Sequence, residues 1–213
     1  MYLPEHFAIS DVDSVAAYVE SVGAADIVTF SGERLVSSLV PVIWDRSVGE
    51  HGRLLAHISV ANSQWREAKS DVPALAIVHG PQAYISPSWY ASKRDHGRVV
   101  PTWNYSTVHF SGPVVFHTDP EWLRELVTKL TERHEGSRDE PWRVDDAPPS
   151  WLDGQLRGIV GVEITVTSVE AKAKLSQNRS RADQLGAIDG LANESDPRAP
   201  QVAALMRAQL DDS

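Results

Sequence analysis

The segment "GPQAYISPSWYASKRDHGRVVPTWNYSTVHFSG", residues 80–112, combines bulky aromatic rings, prolines and cations. Proline removes a backbone donor and bends the chain, so Pro81, Pro87 and Pro101 exclude one continuous helix or strand. The aromatic rings and cations of this segment suit a planar ligand with anionic groups. They equally suit the core of a dimer contact, where Trp, Tyr and Arg are enriched. The large polar-tipped rings and the cations of this segment are Tyr84, Trp89, Tyr90, Trp103, Tyr105, Lys93, Arg94 and Arg98.

Length and composition indicate an ordinary globular protein. The chain has 213 residues, of which 42% are hydrophobic and 23% charged. No apolar run approaches the ~20 residues of a membrane span, and the N-terminal segment lacks the basic region of a secretory signal, so neither is expected. The absence of cysteine excludes disulfides and thiolate chemistry and predicts a cytoplasmic protein. The formal charge of −9 argues against direct nucleic-acid binding, which depends on Lys and Arg.

The hydrophobic pattern predicts a mainly β protein with peripheral helices. Ser10 and Gly23 bracket a capped amphipathic helix, and Asp119 followed by Pro120 begins a second one. Shorter helices are expected at "WLDGQLRG" and "APQVAALMRAQL". Many strands with few intervening helices indicate a small β-barrel. The predicted strand segments are "ADIVTF", "RLVSSLVPVIW", "GRLLAHISV", "PALAIVHG", "STVHFSGPVVFH" and, as one long final strand, "IVGVEITVTSVEAKAKL".

The eight histidines form no HxxH or HExxH pattern. His109 and His117 would point the same way on a straight strand but lie ~27 Å apart, too far to share a metal ion. A lone strand histidine is usually a hydrogen-bonded structural residue. The sequence also lacks a GxSxG elbow, a Walker loop and a GxGxxG motif, so the usual hydrolase and nucleotide-binding signatures are absent.

Two further clusters of polar residues could carry chemistry. Residues 56–66 place His57 at the end of an apolar strand and follow it with a turn rich in amide and hydroxyl donors; an ordinary turn explains the same pattern. In residues 170–179, Lys172 and Lys174 share one face of a strand, and a dense donor group follows. A solvated sheet edge protected by lysines explains that pattern equally well.

The chain resembles the PaiB-like proteins, a family usually described as FMN-binding negative transcriptional regulators. The resemblance runs from residue 1 to about residue 191. The motifs that carry it are "MYLPEHF", "AYISPSWY", "HGRVVPTWNY", "PWRVDDAPP", "IVGVEI" and "KLSQNR".

This resemblance implies an FMN-binding split β-barrel like that of the pyridoxamine-phosphate oxidases, assembled as a homodimer with cofactor clefts between subunits. Residues 1–191 would form the split-barrel domain, and residues 192–213 a helical tail packed on it. Some members of the family resemble flavin enzymes, and others are haem proteins. Among the latter is piperazate synthase, which forms an N–N bond by dehydrative cyclisation of N5-hydroxy-ornithine.

One departure from the family pattern bears on the cofactor. Where members commonly read "HxARxN", this chain reads "HISVAN", so Val60 replaces an Arg that could hold an FMN phosphate. His57 remains, and a neutral imidazole can ligate haem iron. The leading interpretation is therefore a piperazate-synthase-like enzyme with haem b, acting on a small amino-acid-like substrate. The alternative is an FMN-binding regulator or an FMN-dependent oxidoreductase.

Each expected site residue has a role under this interpretation. His57 is the expected axial ligand of the haem iron. His57, Lys174 and Arg179 are expected to be catalytic, with the last two contacting a carboxylate or propionate. The cofactor-binding set comprises His57, Asn62, Gln64, Trp65, Trp89, Lys93, Trp103, Asn104, Tyr105, Lys172, Ser176 and Gln177.

Overall fold

A computed structural model describes residues 1–211. Within these residues the strands are β1 Ala24–Phe30, β2 Leu35–Pro41, β3 Ile43–Asp45, β4 Arg53–Ser59, β5 Ala74–Ile85, β6 Thr102–Gly112, β7 Val114–His117, β8 Ile159–Thr165 and β9 Ser168–Lys174. The α-helices are α1 Val12–Val22, α2 Gln64–Glu67, α3 Ser92–Asp95, α4 Pro120–Glu135, α5 Pro149–Leu156, α6 Arg181–Ala192 and α7 Ala199–Asp211. No helix in this part of the chain is long and apolar enough to cross a bilayer.

The strands form two antiparallel sheets, with the orders β2-β1-β5-β6-β9 and β3-β4-β8-β7. The prediction of a mainly β fold with peripheral helices is confirmed. Alternation decides which side of each strand is buried. In β1, for example, Ala25, Ile27 and Thr29 are buried, whereas the residues between them are only half-buried.

The predicted helix starts are largely confirmed, and the first two strands form a hairpin. β1 and β2 pair antiparallel with Phe30 opposite Leu35. The α4 helix begins after Asp119, whose carboxylate accepts a hydrogen bond from Trp122 N at 2.9 Å. The first helix is capped by Asp11 rather than by the predicted Ser10, because the Asp11 carboxylate accepts the backbone N–H of Ser14 at 2.8 Å.

Three strand predictions need correction. The predicted long final strand is two strands, β8 and β9, in different sheets, because Val166 N and Thr167 N donate to Gly52 O and Ser111 O at the break. The run "RLVSSLVPVIW" likewise divides into β2 and β3. His109 and His117 lie on β6 and β7, which also belong to different sheets, so the straight-strand distance does not apply.

The chain divides into two compact units. Unit 2 comprises Ala16–Val78 and His109–Val169, and it contains the four-stranded sheet with α4 and α5. Unit 1 comprises Met1–Val15, His79–Val108 and Glu170–Ser213. Its core joins α6 and α7 to the β5 end and the loop after it, through buried residues that include Ile85, Tyr90, Leu175, Ile188, Leu191, Val202 and Met206.

Candidate functional site

His57 carries a half-buried imidazole on the four-stranded sheet. It lies on β4, directly opposite Gly161 of β8. Its side chain makes no hydrogen bond or ion pair with any residue of the described range 1–211. Burial lowers the pKa of His57 below the ordinary histidine value, which favours the neutral ring at neutral pH. His57 thus differs from the usual structural strand histidine and can act as a metal ligand or a base.

An open depression of about 570 Å³ in unit 2 contains His57 on its wall. This volume falls within the ~300–1,000 Å³ typical of small-molecule sites. Asn62 lies there too, and its amide nitrogen donates to Ser38 Oγ at 2.9 Å. No Lys or Arg belongs to the wall, which is formed by Ser38, Leu39, Val40, His57, Ile58, Ser59, Asn62, Gly158 and Ile159.

Gln64 and Trp65 hold the turn that carries Asn62. Gln64 is 2% exposed, and its amide nitrogen lies 2.9 Å from Ile27 O and 3.1 Å from Thr29 Oγ1. The Trp65 indole donates to Val60 O at 3.1 Å. These bonds direct both side chains toward the protein rather than toward the depression, so their part in any site is to position the turn.

Lys172 and Lys174 on β9 place two ammonium groups in unit 1. Lys172 is buried, donates to Tyr2 O at 2.9 Å, and lies 5.3 Å from the Tyr105 ring centre. Lys174 donates to Thr102 Oγ1 and to Trp103 O, each at 2.6 Å. An ammonium has three donors, so Lys174 retains one for a ligand.

Arg179 completes a group of three neighbouring cations. Its guanidinium stacks over the Tyr90 ring at 5.0 Å and makes no side-chain hydrogen bond within the described chain. Burial, then the charges of Lys172 and Arg179, lower the pKa of Lys174. Across residues 1–211, none of the three forms an ion pair with a carboxylate. An anion bound there would therefore relieve their mutual repulsion.

The loop between Lys174 and Arg179 is firmly held. Ser176 has φ 66°, a left-handed conformation that is rare for a residue with a side chain. Its hydroxyl bonds the fully buried Asn104 amide at 3.0 Å. Gln177 accepts from Leu175 N at 2.7 Å. Asn104, Ser176 and Gln177 therefore fix the loop from behind and present the cations at its two ends.

The remaining predicted residues of unit 1 are aromatic side chains and Lys93. Trp103 is 41% exposed, and its indole donates to Gln82 Oε1 at 3.1 Å. The Lys93 ammonium donates to Ser88 Oγ at the surface. The Trp89 ring packs closely over Gly190 of α6, so Trp89 has a packing role.

The predicted site residues thus form two groups. His57, Asn62, Gln64 and Trp65 belong to unit 2, and the others belong to unit 1. The sequence-based prediction omitted Ser38 and Ile159, which lie beside His57, and Tyr90, which lies under Arg179. Tyr90 was among the aromatic residues of the 80–112 segment, but nothing in the sequence pairs it with Arg179.

The family of the chain follows from a domain comparison. The family described as "Putative FMN-binding domain" matches residues 1–168. The chain belongs to this family. The predicted membership of the PaiB-like, FMN-binding group is thereby confirmed, as is the split-barrel fold.

Two relatives illustrate the range of this FMN-binding family. "Protease synthase and sporulation protein PAI 2" of Bacillus subtilis is 34% identical over 210 residues, covering 99% of this chain and 98% of the relative. "Uncharacterized protein AN0679" of Emericella nidulans is 31% identical over 144 residues, covering 62% of this chain and 57% of the relative.

Solved structures share the fold of this family member at low identity. The flavocytochrome Anf3 from Azotobacter vinelandii has a TM-score of 0.54 at 12% identity, covering 78% of this chain and 69% of that one. The FAD and heme binding protein from Mycobacterium smegmatis has a TM-score of 0.57 at 12% identity, covering 84% and 78%. At such identities the likeness concerns the fold alone.

Proposed function

We propose that this protein binds FMN and acts as a flavin-dependent redox protein on a small molecule. One observation carries the proposal: Lys172, Lys174 and Arg179 stand together beside aromatic faces, and none of them forms an ion pair with a carboxylate of residues 1–211. Asp183, whose charge interacts with that of Arg179, is hydrogen-bonded to Ser92 instead. Family membership supports the same cofactor. Direct DNA binding by a flavin-sensing regulator is the less favoured alternative, because the chain carries a net charge of −9.

The residues of unit 1 fit the two chemical parts of FMN. Trp103 and Tyr105 alternate with the buried Asn104 on β6, so both rings face one side of the strand and can stack with a flat ring system. Lys174 keeps a free donor, and the Arg179 guanidinium keeps its hydrogen-bonding edge, which suits two oxygens of a phosphate. Bound FMN would supply hydride or single-electron transfer.

The protein's own contribution is binding and electrostatics. The Ser176 loop holds Lys174 and Arg179 in place before the ligand arrives, which lowers the entropic cost of binding. Thr102 Oγ1 and Trp103 O hold the Lys174 ammonium in one position.

An FMN titration tests this proposal. Purified protein, stripped of bound small molecules, is expected to quench the fluorescence of added FMN to saturation at one flavin per chain. Riboflavin lacks the phosphate, so it should bind at least ~10-fold more weakly, a ratio equal to about 1.4 kcal/mol. Equal affinity for FMN and riboflavin, or no binding of either, would refute the proposed role of the cations.

Haem is a second candidate cofactor, favoured by His57. The His57 imidazole favours its neutral form and makes no hydrogen bond within residues 1–211, so its ring nitrogen can ligate iron. The wall of its depression contains no Lys or Arg that could bind a phosphate. Two proteins of the same fold are described as a flavocytochrome and as an FAD and heme binding protein. With haem as the cofactor, cyclisation of N5-hydroxy-ornithine with loss of water stays a prediction.

Replacing His57 tests the haem candidate directly. Haem b added to the wild-type protein is expected to give a sharp Soret band near ~400 nm, and His57→Gly should lose the spectrum of histidine ligation. Added imidazole should restore that spectrum in His57→Gly, because it can occupy the vacated space. His134→Gly, at an exposed helical position, is the matched control. An unchanged His57→Gly spectrum would remove His57 from the iron.

We also propose that the protein is a homodimer that uses the outer face of the β1–β2 hairpin. Leu35 and Leu39 are 71% and 70% exposed on β2, and the cross-strand partner of Leu35 is Phe30, which is half-buried. Val28, Leu75 and Ile77 continue the same face on β1 and β5. Because Leu39 also lines the His57 depression, a second copy on this face would border that depression.

A further inference from the structure

The orientation of His57 must come from packing, because its side chain has no hydrogen bond among residues 1–211. Histidines that ligate metals or transfer protons are usually oriented by a hydrogen bond to the second ring nitrogen. Without such a bond, a neighbouring side chain on the same face of the sheet has to limit the rotation of the ring. The register of the four-stranded sheet identifies that neighbour.

Gly161 occupies the centre of a row across three strands. It lies opposite His57 on β4 and opposite His117 on β7. Directly opposed residues of antiparallel strands point to the same face, with Cβ atoms ~4.5–5.5 Å apart. The side-chain space above Gly161 is therefore immediately beside His57 on one side and His117 on the other.

The Trp122 ring fills the space above Gly161. A Cβ atom on Gly161 would overlap Trp122 Cζ3, and it would lie 2.7 Å from Cε3 and 2.8 Å from Cη2. Trp122 also stacks on His117, with ring centres 4.0 Å apart and an interplanar angle of 14°. The indole therefore lies above Gly161 and against His117, on the sheet face that also carries His57.

Trp122 is fixed from two further directions. Its backbone N–H donates to the Asp119 cap of α4, which fixes the helix start. Behind His117, the Nε2 atom lies 3.3 Å from Glu163 Oε2, within ion-pair distance but without hydrogen-bond alignment. Arg53 Nη1 lies 3.4 Å from the same Glu163 oxygen. The stack thus lies against the charged side chains of Glu163 on β8 and Arg53 on β4.

We propose that Trp122 is the positioning residue of His57: its ring, admitted by Gly161 and held by His117, forms the rigid wall that turns the His57 imidazole toward the depression. The absence of a side chain at Gly161 makes this wall possible, since any Cβ would expel the indole. The wall also excludes water from one side of the imidazole. The positioning of His57 by Trp122 does not depend on which cofactor binds. Only the role of His57 as a haem ligand rests on the second candidate function proposed above.

Histidine-selective NMR of the cofactor-free protein tests this inference. The His57 Cε1–H resonance is assigned by its loss in His57→Gln and followed through a pH titration in wild type, Gly161→Ala and Trp122→Leu. In both variants the resonance is expected to move toward that of an exposed histidine. Its titration midpoint is expected to rise, because water reaches the ring and relieves the desolvation that lowers its pKa.

Two control variants distinguish a loss of His57 positioning from a general loss of structure. Trp122→Phe keeps an aromatic wall and should largely restore the wild-type midpoint, and Trp142→Phe, at an exposed position, should leave it unchanged. If Gly161→Ala does not fold, Trp122→Leu decides alone. An unshifted His57 midpoint in Trp122→Leu would overturn the inference. The experiment contains no cofactor, so its outcome is separate from whether haem or FMN binds.

Discussion

Lys174→Met combined with Arg179→Gln is expected to weaken FMN binding by about 10²–10⁴-fold. Hydrogen bonds to charged groups contribute ~1.5–3 kcal/mol each, and the double variant removes two of them from the proposed phosphate site. Met and Gln retain much of the length of the Lys and Arg that they replace, so the double variant mainly removes charge. Met at position 174 loses the bonds to Thr102 Oγ1 and Trp103 O, which makes its folded state a necessary check by circular dichroism.

Riboflavin and Lys93→Met control this measurement. The double variant should bind riboflavin about as well as the wild type does, because the missing charges act on the phosphate alone. Lys93 is exposed and bonded to Ser88, so Lys93→Met should bind FMN normally. If the double variant loses FMN and riboflavin equally, Lys174 and Arg179 shape the pocket and do not recognise the phosphate.

The pH dependence of FMN binding is a second test of the proposed phosphate contacts of Lys174 and Arg179. The free protein holds the pKa of Lys174 below the ordinary lysine value through burial and the nearby charges of Lys172 and Arg179. A bound phosphate favours the ammonium form and raises that pKa. FMN affinity should therefore fall as the pH rises through the lowered pKa of free Lys174. Lys174→Met should lose this alkaline fall.

The strands were predictable from sequence because their burial alternates locally. The division between β8 and β9 was not, since Val166 and Thr167 are turned by backbone bonds to distant residues of the chain. The α6 helix was missed because Gly186 and Gly190 weaken helix propensity. Those glycines are required by packing: a Cβ on either one would overlap Trp89. Such a requirement appears only when the two segments are placed together.

In the candidate site, too, the sequence reveals the residue types, whereas the contacts of those residues are seen only in the folded chain. The sequence motifs identified His57, Lys174 and Arg179 as candidates because imidazole and cationic groups have recognisable chemistry. What distinguishes His57 in the structure is its lack of a hydrogen-bonding partner among residues 1–211, and no sequence pattern reports that. The place of Trp122 above Gly161 likewise depends on strand register, which a one-residue slip would abolish.

Leu35→Glu combined with Leu39→Glu is expected to convert the proposed homodimer into monomers, weakening association by about 10⁴-fold or more. Burying one leucine contributes ~1.5–3 kcal/mol, and a two-fold axis places four of these side chains in the interface, for a sum of at least ~6 kcal/mol. Each glutamate would in addition need to lose its hydration. Both positions are exposed in the single chain, so its folding should be little affected.

Light scattering after gel filtration measures this change, with Val115→Glu as the control. Val115 is 49% exposed and lies on β7 in the other sheet, so its replacement adds a similar charge away from the proposed interface. A wild-type protein that is monomeric at micromolar concentration would contradict the interface. A dimeric double variant would place the contact elsewhere.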